Sequence, residues 1–464
     1  VRAEAAVALA LSLVLVPAAP SPVPQPPPVQ VSVPAGGIPG PVPGLRLPDS
    51  CPTPVPGTDP TDSAVDTAGS VAADVLQLDA VHTLASGAGQ RIAVIDTGVA
   101  PHPRLAGRLL GGGDYLQGSD GLDDCDGHGT AVAGLLAAAP GPDDTFVGIA
   151  PGAELLSIRQ SSALLQVPGP AGTLVPAGDT DTLAAAIVRA VRQQATVINI
   201  SEAACLPAAT AARAGRSLQA ALSYAAESDV VVVAAAGNAG SGGCANPGDD
   251  RQVSLPGWYG EGLLTVGATD PDGTPAPFSV PGPWVDVAAP GTGLRSLAVG
   301  RGLTGPDVQG TSFAAPWVAG LAALVRERFP QLTAREVADR ITATARRPAG
   351  VDPAVGHGVI DPLAALTAEP LRLSPDGLIA RPTATLPGAE PAPAGTTTPG
   401  GAVGLLGVAV LLGAVAAAAG RLRVSPRRVP GPAPRRPPAP PAPGPVPVRS
   451  GAAAGPPPGP GRRG

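Results

Sequence analysis

The sequence predicts a three-layer α/β domain built on a mainly parallel central sheet, and three observations predict it. Runs of β-branched and aliphatic residues at 91–95, 197–200 and 230–234 are almost wholly apolar, as strands covered on both faces are. Between and after them lie Ala/Leu-rich segments of helical period, at 129–139, 182–194, 211–228, 313–329 and 333–345. Strand and helix therefore alternate, the pattern of parallel strands joined by crossover helices.

Length and composition bound the segments that surround that domain. The 464 residues suffice for one large domain with flanking segments, since single cores stop growing at about 250–300 residues. The 61 prolines are concentrated toward both ends, which sets the middle apart, whereas the 62 glycines are spread along the chain. A net charge of −6 supplies no basic field, so nucleic acid is excluded as a partner.

Taken in chain order, residues 1–20 open with Arg2, continue through an apolar run at 5–16 and end in Pro-Ala-Ala-Pro. That run is short for a bilayer and reads as a signal peptide, with an uncleaved anchor as the alternative; either one exports the α/β domain. Residues 21–75 form a Pro-rich extension, most densely so to residue 60. Proline fixes φ and removes backbone donors, so this stretch is expected to be extended rather than an independently folded prodomain. The α/β domain is placed at 76–366 and a Pro/Thr-rich linker at 367–400.

Residues 401–420 are apolar and uncharged, enough for about 30 Å of helix, and predict one transmembrane helix. Arg421, Arg423, Arg427 and Arg428 come directly after it. Basic residues favour the cytosolic side, which puts the basic Pro-rich tail 421–464 in the cytosol and the α/β domain outside. The expected location is the cell membrane, single-pass.

Four cysteines in an exported chain, without metal-ligand spacing, point to disulfides. Three pairings are possible. Cys205 and Cys244 each stand after a predicted strand and can meet if those strands are neighbours. That leaves Cys51 to pair with Cys125, stapling the extension to the domain beside His128.

Three stretches carry chemistry: Ile92 to Gly98 at a strand end, containing Asp96; Asp126 to Gly134, opening a helix at His128; and Gly310 to Pro316, opening another at Ser312. A serine hydroxyl is a weak nucleophile and needs a base, and His128 is one of only four histidines. Asp96 would hold the far ring nitrogen and stabilise the imidazolium. A helix start at Ser312 aims free N–H groups at a developing oxyanion. Asn238, in Gly-Asn-Ala-Gly after an apolar strand, is a candidate side-chain donor to the same charge.

In these stretches and in their Asp, His, Ser order the chain resembles the subtilisin-like (subtilase) serine proteases, over residues 77–366. The resemblance implies a three-layer subtilisin-like fold and a serine endopeptidase acting on protein substrates through an acyl-enzyme. It also implies a catalytic triad of Asp96, His128 and Ser312, with Asn238 in the oxyanion hole. Asn199-Ile-Ser201 is similar to the family strand that binds the substrate backbone, so Ser201 is expected at the substrate. Glu202-Ala203 comes next, where the family commonly has Leu-Gly. Glu202 would suit a basic substrate side chain, but the plainer expectation is a surface carboxylate near the cleft.

Other readings are weaker. Asp96-Thr-Gly98 also matches the aspartic-protease triplet, which needs a second carboxylate in a like triplet that the chain lacks. Asp120, Asp123, Asp124 and Asp126 lack a calcium-loop spacing and read as a polar structural loop. No metal and no cofactor are expected.

The order of signal peptide, Pro-rich extension, four-cysteine catalytic domain, linker, single helix and basic tail is most like the mycosins, membrane-anchored subtilases of type VII secretion. That likeness implies a partner, the type VII secretion membrane complex, and limited processing of its substrates. It also implies an alternative function as a structural component of that complex, with little dependence on catalysis. The Gly/Pro-rich stretch 160–179 is read either as a cleft-side element that limits access or recognises substrate, or as a variable surface loop.

Overall fold

The computed structural model describes residues 71–369, apart from 143, 246–251, 261 and 347–349, together with 23–29, 32–34, 37 and 39–51. The predicted segments 1–20, 401–420 and 421–464, and nearly all of 367–400, lie outside the described residues. Among the described residues no helix is long and apolar enough to cross a membrane.

A short helix α1 (Leu78–His82) leads into β1 (Arg91–Asp96), β2 (Leu109–Asp114) and α2 (His128–Ala137). Next come β3 (Glu154–Arg159), β4 (Ser162–Pro168), β5 (Leu174–Ala177) and α3 (Thr180–Arg192). β6 (Val197–Ile200), β7 (Ala204–Pro207), α4 (Ala208–Ala214), α5 (Arg216–Glu227) and β8 (Val231–Ala235) form the middle. β9 (Gln252–Leu255), β10 (Leu263–Thr269), β11 (Val287–Pro290), α6 (Thr311–Arg328), α7 (Ala334–Thr344) and α8 (Pro362–Thr367) complete the order.

Seven strands form the central sheet in the order β11-β10-β8-β6-β1-β3-β2, every pairing parallel. Successive side chains of a strand point to opposite faces. Accordingly Ile92 and Val94 join the core beneath α2 and α6, whereas Ala93 and Ile95 join the core beneath α3 and α5. This double coverage is why the strands read as unbroken apolar runs. Helix α6 is the centre of one layer, with Val318, Leu321, Leu324 and Val325 wholly buried. Each such side chain contributes about 1.5–3 kcal/mol by leaving water.

Sheet order also places the cleft. From β1 the chain first lays β2 at one edge and returns with β3 between them, and later builds in the other direction through β6, β8, β10 and β11. The connections diverge where β1 meets β6, and the carboxyl ends of such strands leave an open crevice.

The structure departs from the sequence reading in two places. The predicted helix over 211–228 is two helices, broken at Gly215, where a Cβ would lie 2.0 Å from the Tyr259 hydroxyl. Residues 160–179 are no plain loop: β4 and β5 pair antiparallel as a hairpin. Its outer edge is taken by the extension, since Arg46 and Gln166 exchange backbone hydrogen bonds of 2.8 and 3.0 Å. Val42 and Leu45 pack beside the buried Leu116 and Leu165. The extension is tied down further along, where Pro24 and Pro27 carbonyls accept from Trp258 Nε1 and Gln219 Nε2. Cys51 is bonded to Cys125 and Cys205 to Cys244, with Cα separations of 5.0 and 4.6 Å.

Candidate active site

Asp96 ends β1 and is completely buried. Its Oδ1 lies 2.7 Å from His128 Nδ1 and accepts the Thr97 N–H at 2.7 Å. His128 is the first residue of α2, its side chain 29% exposed. The strand end and helix start approach closely because residue 129 is glycine: a Cβ there would lie 2.0 Å from the Gly98 carbonyl oxygen.

The helix start beneath His128 has no capping side chain at its own N-cap, Gly127. Asp124 does that work from three residues earlier. Its Oδ1 accepts from Gly127 N–H and Thr97 Oγ1, both at 2.8 Å, and its Oδ2 from Thr130 N–H at 2.8 Å and Thr130 Oγ1 at 2.6 Å. Burial raises the Asp124 pKa and the nearby Asp96 adds to this, against the opposing pull of the Thr130 and Thr97 bonds. Sequence alone reads Asp124 as part of a polar loop and misses this function. Its spacing, three residues before the N-cap glycine and six before a threonine, is the available signal. Asp126 has another task, holding β4 through Ser162 Oγ and the backbone N–H groups of Ala163 and Leu164.

Ser312 is the second residue of α6, 7% exposed, and Phe313 beside it packs its ring 4.9 Å from that of His128. The Ser312 hydroxyl makes no hydrogen bond to the His128 ring within the described residues. Catalytic hydrogen bonds are often long before substrate binds. Pro316 lies one turn on and has no N–H to offer the Ser312 carbonyl. Ser201 Oγ fills that gap, donating to the carbonyl at 2.7 Å while accepting from Asn199 Nδ2 at 2.9 Å. Ser201 is thus 3% exposed and its side chain is committed to the Ser312 turn. Sheet pairing stops at Ile200, so the Ser201 backbone lies outside the parallel ladder.

Asn238 comes after β8, and its Oδ1 accepts from Thr311 N–H at 2.9 Å and Thr311 Oγ1 at 3.0 Å. A backbone N–H must face the amide oxygen, so Nδ2 is the end left for the cleft. Gly310, at φ 148°, borders both groups: a Cβ on it would meet Ser312 Oγ at 2.9 Å and Asn238 Nδ2 at 3.3 Å.

The charges act on one another. Burial pulls the His128 pKa down, but the Asp96 charge and hydrogen bond outweigh it, with Glu202 and Asp124 adding, and carry it up to about 9. Glu202 is half-buried, two residues past β6. Its pKa is raised by burial and by Asp96 and Asp126, against the attraction of His128. Among the described residues no group of His, Cys, Asp or Glu is arranged to hold a metal ion.

The chain is similar to known proteins in sequence and in fold. The Subtilase family profile matches residues 87–358. Mycosin-4 of Mycobacterium tuberculosis is 49% identical over 319 residues, covering 64% of this chain and 69% of that one. Mycosin-3 of the same organism is 41% identical over 426 residues, covering 83% and 89%. The solved MycP3 protease from the type VII (ESX-3) secretion system superposes with a TM-score of 0.65 at 41% identity, covering 75% of this chain and all (100%) of that one. A chain in an intact ESX-5 inner membrane complex superposes with a TM-score of 0.67 at 37% identity, covering 86% and 100%. The chain belongs to the subtilase family of serine endopeptidases and, within it, is most like the mycosins.

Proposed function

We propose that the protein cleaves protein substrates through an acyl-enzyme on Ser312, with His128 as base and Asp96 as its orienting partner. The observation that carries this reading is the 2.7 Å contact between the buried Asp96 Oδ1 and His128 Nδ1, which leaves Nε2 free to face the nucleophile. His128 takes the Ser312 proton as Oγ attacks the scissile carbonyl, and the oxyanion forms against Asn238 Nδ2 and the N–H groups opening α6. The imidazolium then gives its proton to the leaving amine. Water repeats the sequence on the acyl-enzyme, releasing the acid and free Ser312.

The proposed organisation is an exported 76–366 peptidase domain preceded by the 21–75 extension and tethered through 367–400 to a membrane helix at 401–420. The proposed partner is a type VII secretion membrane complex. The support is the match to a chain of the ESX-5 inner membrane complex over 86% of this sequence. The same match favours a second role, as a structural component of such a complex.

Mass spectrometry of the full chain after a fluorophosphonate probe tests the chemistry. Ser312 is expected to be labelled, and Ser312→Ala to abolish the label; an unlabelled Ser312 in folded, oxidised protein overturns the reading. Secretion by cells carrying Ser312→Ala separates the roles. Secretion that continues while processing stops supports the structural role, and secretion that stops ties it to catalysis.

A further inference from the structure

Glu202 is a half-buried carboxylate that no hydrogen bond or ion pair engages among the described residues. It stands two residues past β6, and the register that pairs Ile95 with Ile200 brings Ser201 level with Asp96, so Glu202 lies at the mouth of the crevice. The other two carboxylates that act on it are already engaged, Asp96 with His128 and Thr97, and Asp126 with the β4 backbone. Among the described residues His128 is the one cationic group that acts on it, and His128 is bonded to Asp96. A carboxylate withdrawn from water among other carboxylates is costly unless a cation meets it.

The backbone around Glu202 shows where that cation would come from. Beyond Ile200 the chain has no ladder partner on β1 or β8, and Ser201 is anchored to the Ser312 carbonyl, so residues 201–203 form a backbone edge that begins against the nucleophile's turn. An extended peptide laid on such an edge presents every second side chain to it.

We propose that Glu202 is a specificity-determining residue, taking a lysine or arginine side chain from among the four substrate residues that precede the scissile bond. This rests on the reading of Ser312 as the nucleophile. A basic side chain there forms a charge-assisted contact with Glu202, and its charge also offsets the excess of carboxylates around His128.

The test uses the full chain and tetrapeptidyl diphenyl phosphonates, which Ser312 Oγ attacks at phosphorus with loss of phenoxide. The peptides are alanine throughout, or carry one lysine or one norleucine at each position in turn. Rates of Ser312 modification are measured by mass spectrometry, each divided by the same protein's fluorophosphonate rate. At one position lysine is expected to exceed norleucine by about tenfold or more, and in E202Q and E202L that ratio is expected to fall to about two or less. Absence of any lysine preference in the native chain, or its persistence in E202Q, overturns the proposal while leaving the nucleophile intact. If fluorophosphonate labels Ser312 in neither protein, the reading beneath the proposal fails and the proposal falls with it.

Discussion

Ser201 Oγ donates to the backbone carbonyl of Ser312 at 2.7 Å, taking the acceptor that Pro316 leaves open in the first turn of α6. The proline frees the nucleophile's carbonyl from the helix ladder, and the serine fixes it to the crevice instead. In Ser201→Ala that buried acceptor goes unsatisfied, at a cost of about 1–3 kcal/mol. The expected result is a kcat lower by about tenfold with KM little changed. Ser201→Thr, which keeps the hydroxyl, is expected to recover most of the loss. Equal kcat in the native chain and Ser201→Ala would remove Ser201 from the positioning of Ser312.

Asp124 accepts four hydrogen bonds beneath His128. An amide at that position offers one oxygen and turns two N–H groups toward donors. Asp124→Asn is therefore expected to lose about 2–4 kcal/mol in denaturant unfolding, and to slow fluorophosphonate labelling of Ser312 even under conditions where the variant is fully folded.

The pH dependence is set by the sign of the His128 shift. The imidazole acts as a base only when neutral, and the carboxylates around it hold its pKa up to about 9. The kcat/KM of the native chain is expected to rise with pH through that value. Glu202→Gln removes one of the negative charges that favour the imidazolium, so the rising limb is expected to move to lower pH. A limb that stays in place, or moves to higher pH, would refute this account of the coupling.

Gly310 borders both Ser312 Oγ and Asn238 Nδ2 at a φ that side chains rarely adopt. Gly310→Ala is expected to suppress turnover about as much as losing an oxyanion donor, about 10²–10³ in kcat. Asn238→Ala is expected in the same range, with KM nearly constant. Steady-state kinetics on one peptide decide both.

The disulfide between Cys51 and Cys125 closes a loop with a sequence separation of 74. Its loss, in Cys51→Ser with Cys125→Ser, is expected to cost about 2–4 kcal/mol, read as a lower melting temperature. An unchanged melting temperature would mean that the Arg46–Gln166 bridge and the Trp258 and Gln219 contacts hold the extension unaided.

Much of this arrangement is legible in the sequence because its parts stand at element ends. Asp96 closes an apolar run, His128 and Ser312 open helices behind glycines, and Asn238 comes after a strand with Gly on both flanks of its turn. Periodicity marks such ends well. The network under His128 is not legible, since Asp124 among three other aspartates shows no periodicity and its partners Thr97 and Thr130 come from the turn after β1 and from α2. Nor is the half-burial of Glu202, because exposure at a strand's carboxyl end depends on which strands flank it. The β4–β5 hairpin is hidden by its own glycines and prolines, which read as a loop until the extension supplies an edge partner.

The bond between Cys51 and Cys125 also changes what a cut in the chain can mean. A protease that severed the backbone anywhere between those two cysteines would make two polypeptides and release neither, because sulfur would still join them and the β4 edge would still hold the strap. Maturation by simple cleavage would then be invisible on a non-reducing gel and complete on a reducing one. Departure of the amino-terminal piece would wait on a thiol rather than on a protease.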